Sequence, residues 1–411
     1  MKVILTIAMA AALLIVPAMV TADCNIQGTG EVNVISNSYP SLEIIAAAMK
    51  ECNQGGVKVG FKLTKEHREE TMQAFAAAKC PYDIAQGSNS TIAPLQADGL
   101  LRPMNDLVDK YRDKYKIEDA MLIKIGKEVY AIAFQVNAQH LFYRKDLFEK
   151  HNIAVPTTYD EVLAAAEKLK AEESIQFPLG GTYKSGWNLA QEFLNIYLAT
   201  GADIFKPGTA MPAYNSEKGV QTLELMKKLM DYMSPNALAL DTTAIMQQFQ
   251  QGQIAMANLW ASRAVKMDDQ AESKVAGKIE FAQAPSMVKG GPPATTLWWD
   301  GFFMAQNMDG DPDLAFKIMM QGLSEDVVKA NNDATIWLRS AYKTGRYSAG
   351  AYASAMAGAP PYPMQPQISM VHAGLGNNIG DFLAGKETAR ESLADAETAY
   401  INAAKEKGYI K

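Results

Sequence analysis

From Glu31 onward the chain alternates two hydrophobic rhythms, and this alternation constrains its fold more than any other feature. Val32–Ile35 reads as a short strand and Leu42–Cys52 as a helix with apolar residues at 3.6 spacing. A Gly55-Gly56 turn leads into a second strand, Val57–Leu63. Glu66–Lys79 is an Ala-rich helical stretch and Tyr82–Ala85 a third strand. Strand, helix, strand, helix with short joins predicts a parallel, doubly wound α/β unit. In such sheets ligands gather at the carboxyl ends of the strands. The loops expected there, Asn37-Ser38-Tyr39 and Gln86-Gly87-Ser88-Asn89, are rich in amides and hydroxyls.

A second unit is expected from about Val136. Helices are predicted over Lys145–His151, Thr157–Glu173, Leu189–Thr200, Ser216–Met233 and Thr242–Gln251. Strand-like pieces recur at Ile254–Leu259, Ile279–Ala284 and Phe302–Ala305. Pro312–Leu323 reads as a helix with Asp311 as its cap and Pro312 in its first turn. A Pro-rich loop at Ala359–Pro363 precedes helical stretches that run to the end. The 411 residues, 48% of them hydrophobic, suffice for separate packed cores. The expected architecture is two α/β lobes, with the chain crossing between them more than once.

The first 22 residues have a different character. Lys2 is followed by an apolar run, Val3–Val16, too short to span a bilayer comfortably. Pro17 then breaks it, and Val20-Thr21-Ala22 offers small residues before a cleavage point. Residues 1–22 are read as a cleaved secretory signal, which places the mature chain in an oxidising, periplasmic setting. Three cysteines there permit one bridge. Cys52 and Cys80 each close a predicted helix, so Cys52–Cys80 is the expected pair; Cys24–Cys52 and three free thiols are the alternatives. A formal net charge of -6 leaves no surplus of Lys and Arg for nucleic acid. Four scattered histidines show no zinc spacing, and neither a metal nor a cofactor is expected.

Catalytic motifs fail on inspection. Gly380–Lys386 has the skeleton of a phosphate loop, but Glu387 stands where Ser or Thr should hold magnesium. Ser340–Lys343 and Lys343–Gly345 imitate two penicillin-enzyme motifs while sharing one lysine. The alternating acids from Asp309 lack the glycine and glutamate of a calcium loop. What remains is aromatic. Trp187 follows a Gly-rich loop, and Trp298-Trp299-Asp300-Gly301 sets two indoles beside a carboxylate. An indole face packs on the C–H face of a pyranose while carboxylates and amides take its hydroxyls. For any single tryptophan, core packing is the competing explanation.

Several segments carry a resemblance. Gly126–Phe134 with Leu141–Phe148, Pro156–Glu161, Phe249–Met256 ending in Trp260, and Leu383–Ala396 are similar to the corresponding motifs of the extracellular solute-binding proteins of ABC importers, in the maltose-binding-like carbohydrate group. The resemblance covers most of the mature chain. It implies a two-lobed periplasmic-binding-protein fold with hinge-linked α/β lobes and an interlobe ligand cleft. Residues 23–134 with 285–335 would form one lobe, and 135–284 with 336–411 the other. It implies ligand contacts at Asn37, Tyr39, Gln86, Ser88 and Trp260, at Gln135 in the first crossing, and at His372 beyond Pro366–Ser369. Trp187, Trp298, Trp299 and Asp300 join this set on their chemistry, and Arg339 because it lies at the third crossing. The expected partners are a carbohydrate and the permease subunits, with the protein a monomer. Ala133-Phe134 departs from a usual proline, and Arg144 from a usual Asn. Neutral sugars and polyols come first; Lys184, Arg263, Arg339 or Arg346 in the cleft would favour an anionic sugar. An exported carbohydrate-active enzyme is the rival class.

Overall fold

A computed structural model describes residues 24–172 and 175–411; the expected signal segment lies outside the described residues. Two sheets organise the chain. The first contains β1 (Gly30–Ser36), β2 (Val57–Leu63), β3 (Ile84–Ser88), β4 (Leu101–Arg102), β5 (Leu122–Ile125) and β6 (Glu128–Asn137). The second contains β7 (Gln139–Arg144), β8 (Leu179–Gly180), β9 (Met256–Trp260) and β10 (Ile279–Ala282). The chain then returns to the first sheet with β11 (Trp298–Ala305) and β12 (Ile336–Trp337). The first sheet's main order is β12-β6-β11-β3-β1-β2, with β1 parallel to β2 and β3, and β11 antiparallel to β3 and β6. This is the expected mixed α/β architecture. The chain changes sheets at Ala138 and again between Ala282 and Trp298.

The strand order corrects the expected disulfide. From β1 the chain steps outward to β2, then back across β1 to β3. Right-handed crossovers in opposite directions put the two connecting helices on opposite faces of the sheet. The helix Pro40–Lys50 accordingly packs Leu42, Ile45 and Met49 with Cys52 on one face. The helix His67–Ala76 packs Phe75 with Cys80 on the other. A sheet therefore separates Cys52 from Cys80. The bridge is Cys24–Cys52, with a Cα–Cα distance of 5.1 Å, and Cys80 is a buried free thiol.

One irregularity shapes the cleft. The register between β11 and β6 runs Asp300 to Gln135, then Gly301 to Ala133, leaving Phe134 as an extra residue. With this bulge Phe134 and Gln135, though consecutive, point the same way. The Phe134 ring stacks on Phe302 at 5.4 Å, while Gln135 reaches Asp300, two residues along β11 on the same face. Gly301 fits here because a Cβ would lie 2.8 Å from the Ile132 carbonyl oxygen and 2.9 Å from Ala133 Cα.

Candidate functional site

The carboxyl ends of β1 and β3 and the start of β11 meet the end of β9 across a cleft of about 290 Å³. Its floor is a network around Asp300. One carboxylate oxygen accepts from Gln86 Nε2 at 3.0 Å and the other from Gln135 Nε2 at 2.6 Å. The same Gln135 nitrogen lies 3.1 Å from the Tyr39 hydroxyl, and Ser41 donates to Gln135 Oε1 at 2.8 Å. Gln86 Oε1 accepts the Asn37 backbone N–H at 3.2 Å. Burial pushes the Asp300 carboxyl up to about 6, against the pull of Gln135, Tyr39, Arg68 and Arg263. Burial, then the Asp300 charge, holds the Tyr39 phenol well above its ordinary value.

The wall is aromatic. Trp187 opens the helix Trp187–Ala199 directly after Gly186, whose φ of 94° turns the chain where an L side chain would be strained. Trp260 ends β9 and Trp298 begins β11. Their three rings converge, with centroids 6.2 Å apart for Trp187–Trp260, 5.7 Å for Trp187–Trp298 and 5.9 Å for Trp260–Trp298. Trp298 is fixed from below: its indole N–H donates to Thr296 Oγ1 at 2.8 Å. That hydroxyl and Gln191 both reach Asn195, which donates to Gln139, which donates to Glu192 at 2.9 Å. Burial raises the Glu192 carboxyl to about 7.

The structure gathers Asn37, Tyr39, Ser88, Trp187, Trp260, Trp298 and Asp300 around this one cleft. Gln86 and Gln135 are buried beneath it, bound to Asp300 rather than lining it. His372 lines a neighbouring compartment; its rings of contact are Trp187, stacked at 4.9 Å, and Tyr362, whose hydroxyl lies 2.8 Å from Nδ1. Burial pushes His372 down to about 3, so it is neutral.

Two candidates fall elsewhere. Trp299 packs on the opposite face of β11, near Phe303, because strand alternation turns it away from Trp298 and Asp300. Arg339 is buried outside the cleft and donates to the carbonyls of Leu323, Tyr115 and Lys116 at 2.9, 2.9 and 2.7 Å. Among the other basic residues weighed, Arg346 pairs with Glu280 and Asp268, and Lys184 with Asp241. Arg263 does face the cleft. Sequence reasoning missed Arg68, which also lines it. In a segment reading His67-Arg68-Glu69-Glu70, nothing distinguishes that cation from a solvated helix face.

A family model for bacterial extracellular solute-binding proteins matches residues 40–308, which hold Gln86, Gln135 and Asp300 of the cleft's floor and its three tryptophans. The chain belongs to that family. This solute-binding protein is 30% identical over 100 residues to the multiple sugar-binding protein of Streptococcus mutans, a match spanning 24% of this chain and 21% of the relative. The chain thus matches only about a fifth of that curated relative's length. Two solved structures share its fold. An ABC transporter solute-binding protein of Agrobacterium radiobacter K84, in complex with ribitol, superposes with a TM-score of 0.80 at 23% identity, covering 92% of this chain and 99% of that one. A maltose-bound protein of T. maritima gives 0.78 at 18% identity, covering 91% and 99%.

Proposed function

We propose that this protein captures a sugar or polyol between its lobes and delivers it to the permease of an ABC importer. The observation that carries the reading is the convergence of three indoles from separate elements onto a carboxylate held by two amides. Flat aromatic faces and directed hydrogen-bond acceptors are what a ring of alternating C–H and O–H groups requires. The relatives solved with ribitol and maltose support the same ligand class.

Apart from Trp298, the floor belongs to the first sheet and its loops, whereas the wall comes from the end of β9 in the second sheet and from the helix Trp187–Ala199. A ligand touching both gains contacts in the closed state that the open state lacks, and only that difference drives closure. The sheet changes at Ala138 and between Ala282 and Trp298, together with the stretch that leaves the first sheet after Trp337, are the proposed hinges. Of the two carboxylates at the cleft, Asp300 is tied to two amides in the floor and Glu69 is exposed at the rim, so no acid and base pair is set across a bound glycan and binding is favoured over turnover. We assign the mature chain to the periplasm as a monomer that binds no nucleic acid. Calorimetry on the mature chain with hexoses, disaccharides and polyols tests the reading. Saturable binding at micromolar strength, about -8 kcal/mol, is expected. Heat-silent titrations throughout, with unchanged tryptophan fluorescence, would overturn it.

A further inference from the structure

The arginines of this chain divide into two groups. Arg102, Arg112, Arg144, Arg346 and Arg390 each pair with a carboxylate, and Arg339 is held by three carbonyls. The remaining two, Arg68 and Arg263, both face the cleft. Neither donates to a protein acceptor among the described residues. Each rests instead on an aromatic face, Arg68 at 4.3 Å from the Trp187 ring centre and Arg263 at 5.2 Å from that of Tyr39. The Arg68 Nε is buried with no partner. Stacking satisfies the face of a guanidinium but leaves its N–H fork undirected, and that fork matches an oxyanion.

The charges that line the cleft indicate the valence of a ligand that would match it. Two guanidinium cations stand against one carboxylate, Asp300, which already accepts from two amides. At the rim Lys65 and Glu69 offset each other, and His67 is neutral because burial pushes it down to about 3. One positive charge is left over among the residues that line the cleft, with Glu43 acting on Arg263 from outside that lining. The two arginines also come from opposite sides: Arg68 from the helix His67–Ala76 of the first lobe, Arg263 from the 3-10 turn Ala261–Asp268 that follows Trp260. Like charges facing across an empty cleft repel and favour opening; an anion shared between them reverses that preference.

Resting on the sugar-receptor reading above, we propose that the natural ligand is a monoanionic sugar, a hexose bearing one carboxylate or sulfonate. Its oxyanion bridges Arg68 and Arg263 while its ring packs on the tryptophan wall. The test is calorimetry on the mature chain with glucose, galactose and mannose, each alongside its uronate and its 6-sulfonate, with propionate as a non-sugar monoanion. At least one uronate or sulfonate is expected to bind roughly tenfold or more tightly than its neutral parent, the scale of charge-assisted hydrogen bonds. Which acid binds separates the two oxyanions. Arg68→Gln and Arg263→Gln are each expected to erase most of that advantage, bringing the acid and its neutral parent to within about threefold of one another whatever the change in absolute affinity, and Arg263→Lys to restore part of it. Circular dichroism of each variant checks that the fold persists. A neutral sugar binding more tightly than both of its acids would overturn the anion and leave the receptor standing. Propionate alone binding would overturn the receptor reading and this proposal together. Silence from every uronate and sulfonate would also overturn it.

Discussion

The floor and the wall of the cleft are built by opposite strategies, although β11 contributes to both. The floor is hydrogen-bonded before any ligand arrives: Asp300, Gln86 and Gln135 hold one another on neighbouring strands of one sheet, and Tyr39 joins them from the cap of the helix Pro40–Lys50. The wall is assembled from a helix start, a strand end and a strand start, and its order comes from packing. A pre-bonded floor fixes where polar groups point but spends folding stability on a buried charge. The wall contributes contact area with little electrostatic cost. Binding energy and stability should therefore respond differently to changes in the two regions.

The largest effect is expected from the wall. Trp260→Ala should weaken sugar binding by about 2–3 kcal/mol, the loss of one buried aromatic anchor, with secondary structure unchanged. Titration calorimetry reads it, and affinity within threefold of wild type would remove Trp260 from the site. Trp299→Ala separates face from neighbourhood. It should lower the unfolding free energy by about 1–3 kcal/mol yet leave affinity within about twofold. Equal losses in Trp298→Ala and Trp299→Ala would contradict the alternation along β11.

Smaller effects belong to the floor and its support. Asp300→Asn should raise stability at pH 7.5 by about 1–2 kcal/mol, because it removes a charge that burial disfavours. A lower urea midpoint in this variant would show that the arginines stabilise the carboxylate more than burial opposes it. Asp300 and Glu192 both titrate above their unfolded values, at about 6 and about 7. Between their unfolded and folded values the native chain binds protons that the unfolded chain has released. Stability should thus fall as pH rises from about 4 to 7, with the whole cost present above that window. Glu192→Gln should flatten the upper part of this slope and Asp300→Asn the lower part, each by no more than about 3 kcal/mol. Urea melts at closely spaced pH values measure both.

Much of the fold was legible because hydrophobic period survives in the sequence. Val57–Leu63 is β2 as expected, and Val32–Ile35 lies within β1. The expected third strand, Tyr82–Ala85, begins instead at Ile84 and runs on to Ser88, placing Gln86 and Ser88 in the strand itself. Phe302–Ala305 likewise extends back to Trp298. In both cases the polar residues that a loop would carry are strand residues aimed at the cleft. Adjacency is visible in a sequence, but facing is not: Trp298 and Trp299 are chemically alike, and only the pairing of β11 separates their roles. The bulge at Phe134 and the opposite faces of Cys52 and Cys80 follow from strand order, a long-range property. Arg68 was hidden for a different reason, since its significance lies in the partner it lacks.

The Cys24–Cys52 bridge carries a consequence for timing. It encloses a short loop, and such crosslinks contribute about 2–4 kcal/mol, chiefly by restricting the unfolded chain. In a reducing cytosol both thiols stay free. A precursor awaiting export is thus easier to unravel than the delivered protein, which suits a chain that must thread through a membrane before it works. The final tightening then falls to the oxidising chemistry on the far side, so the destination itself completes the molecule.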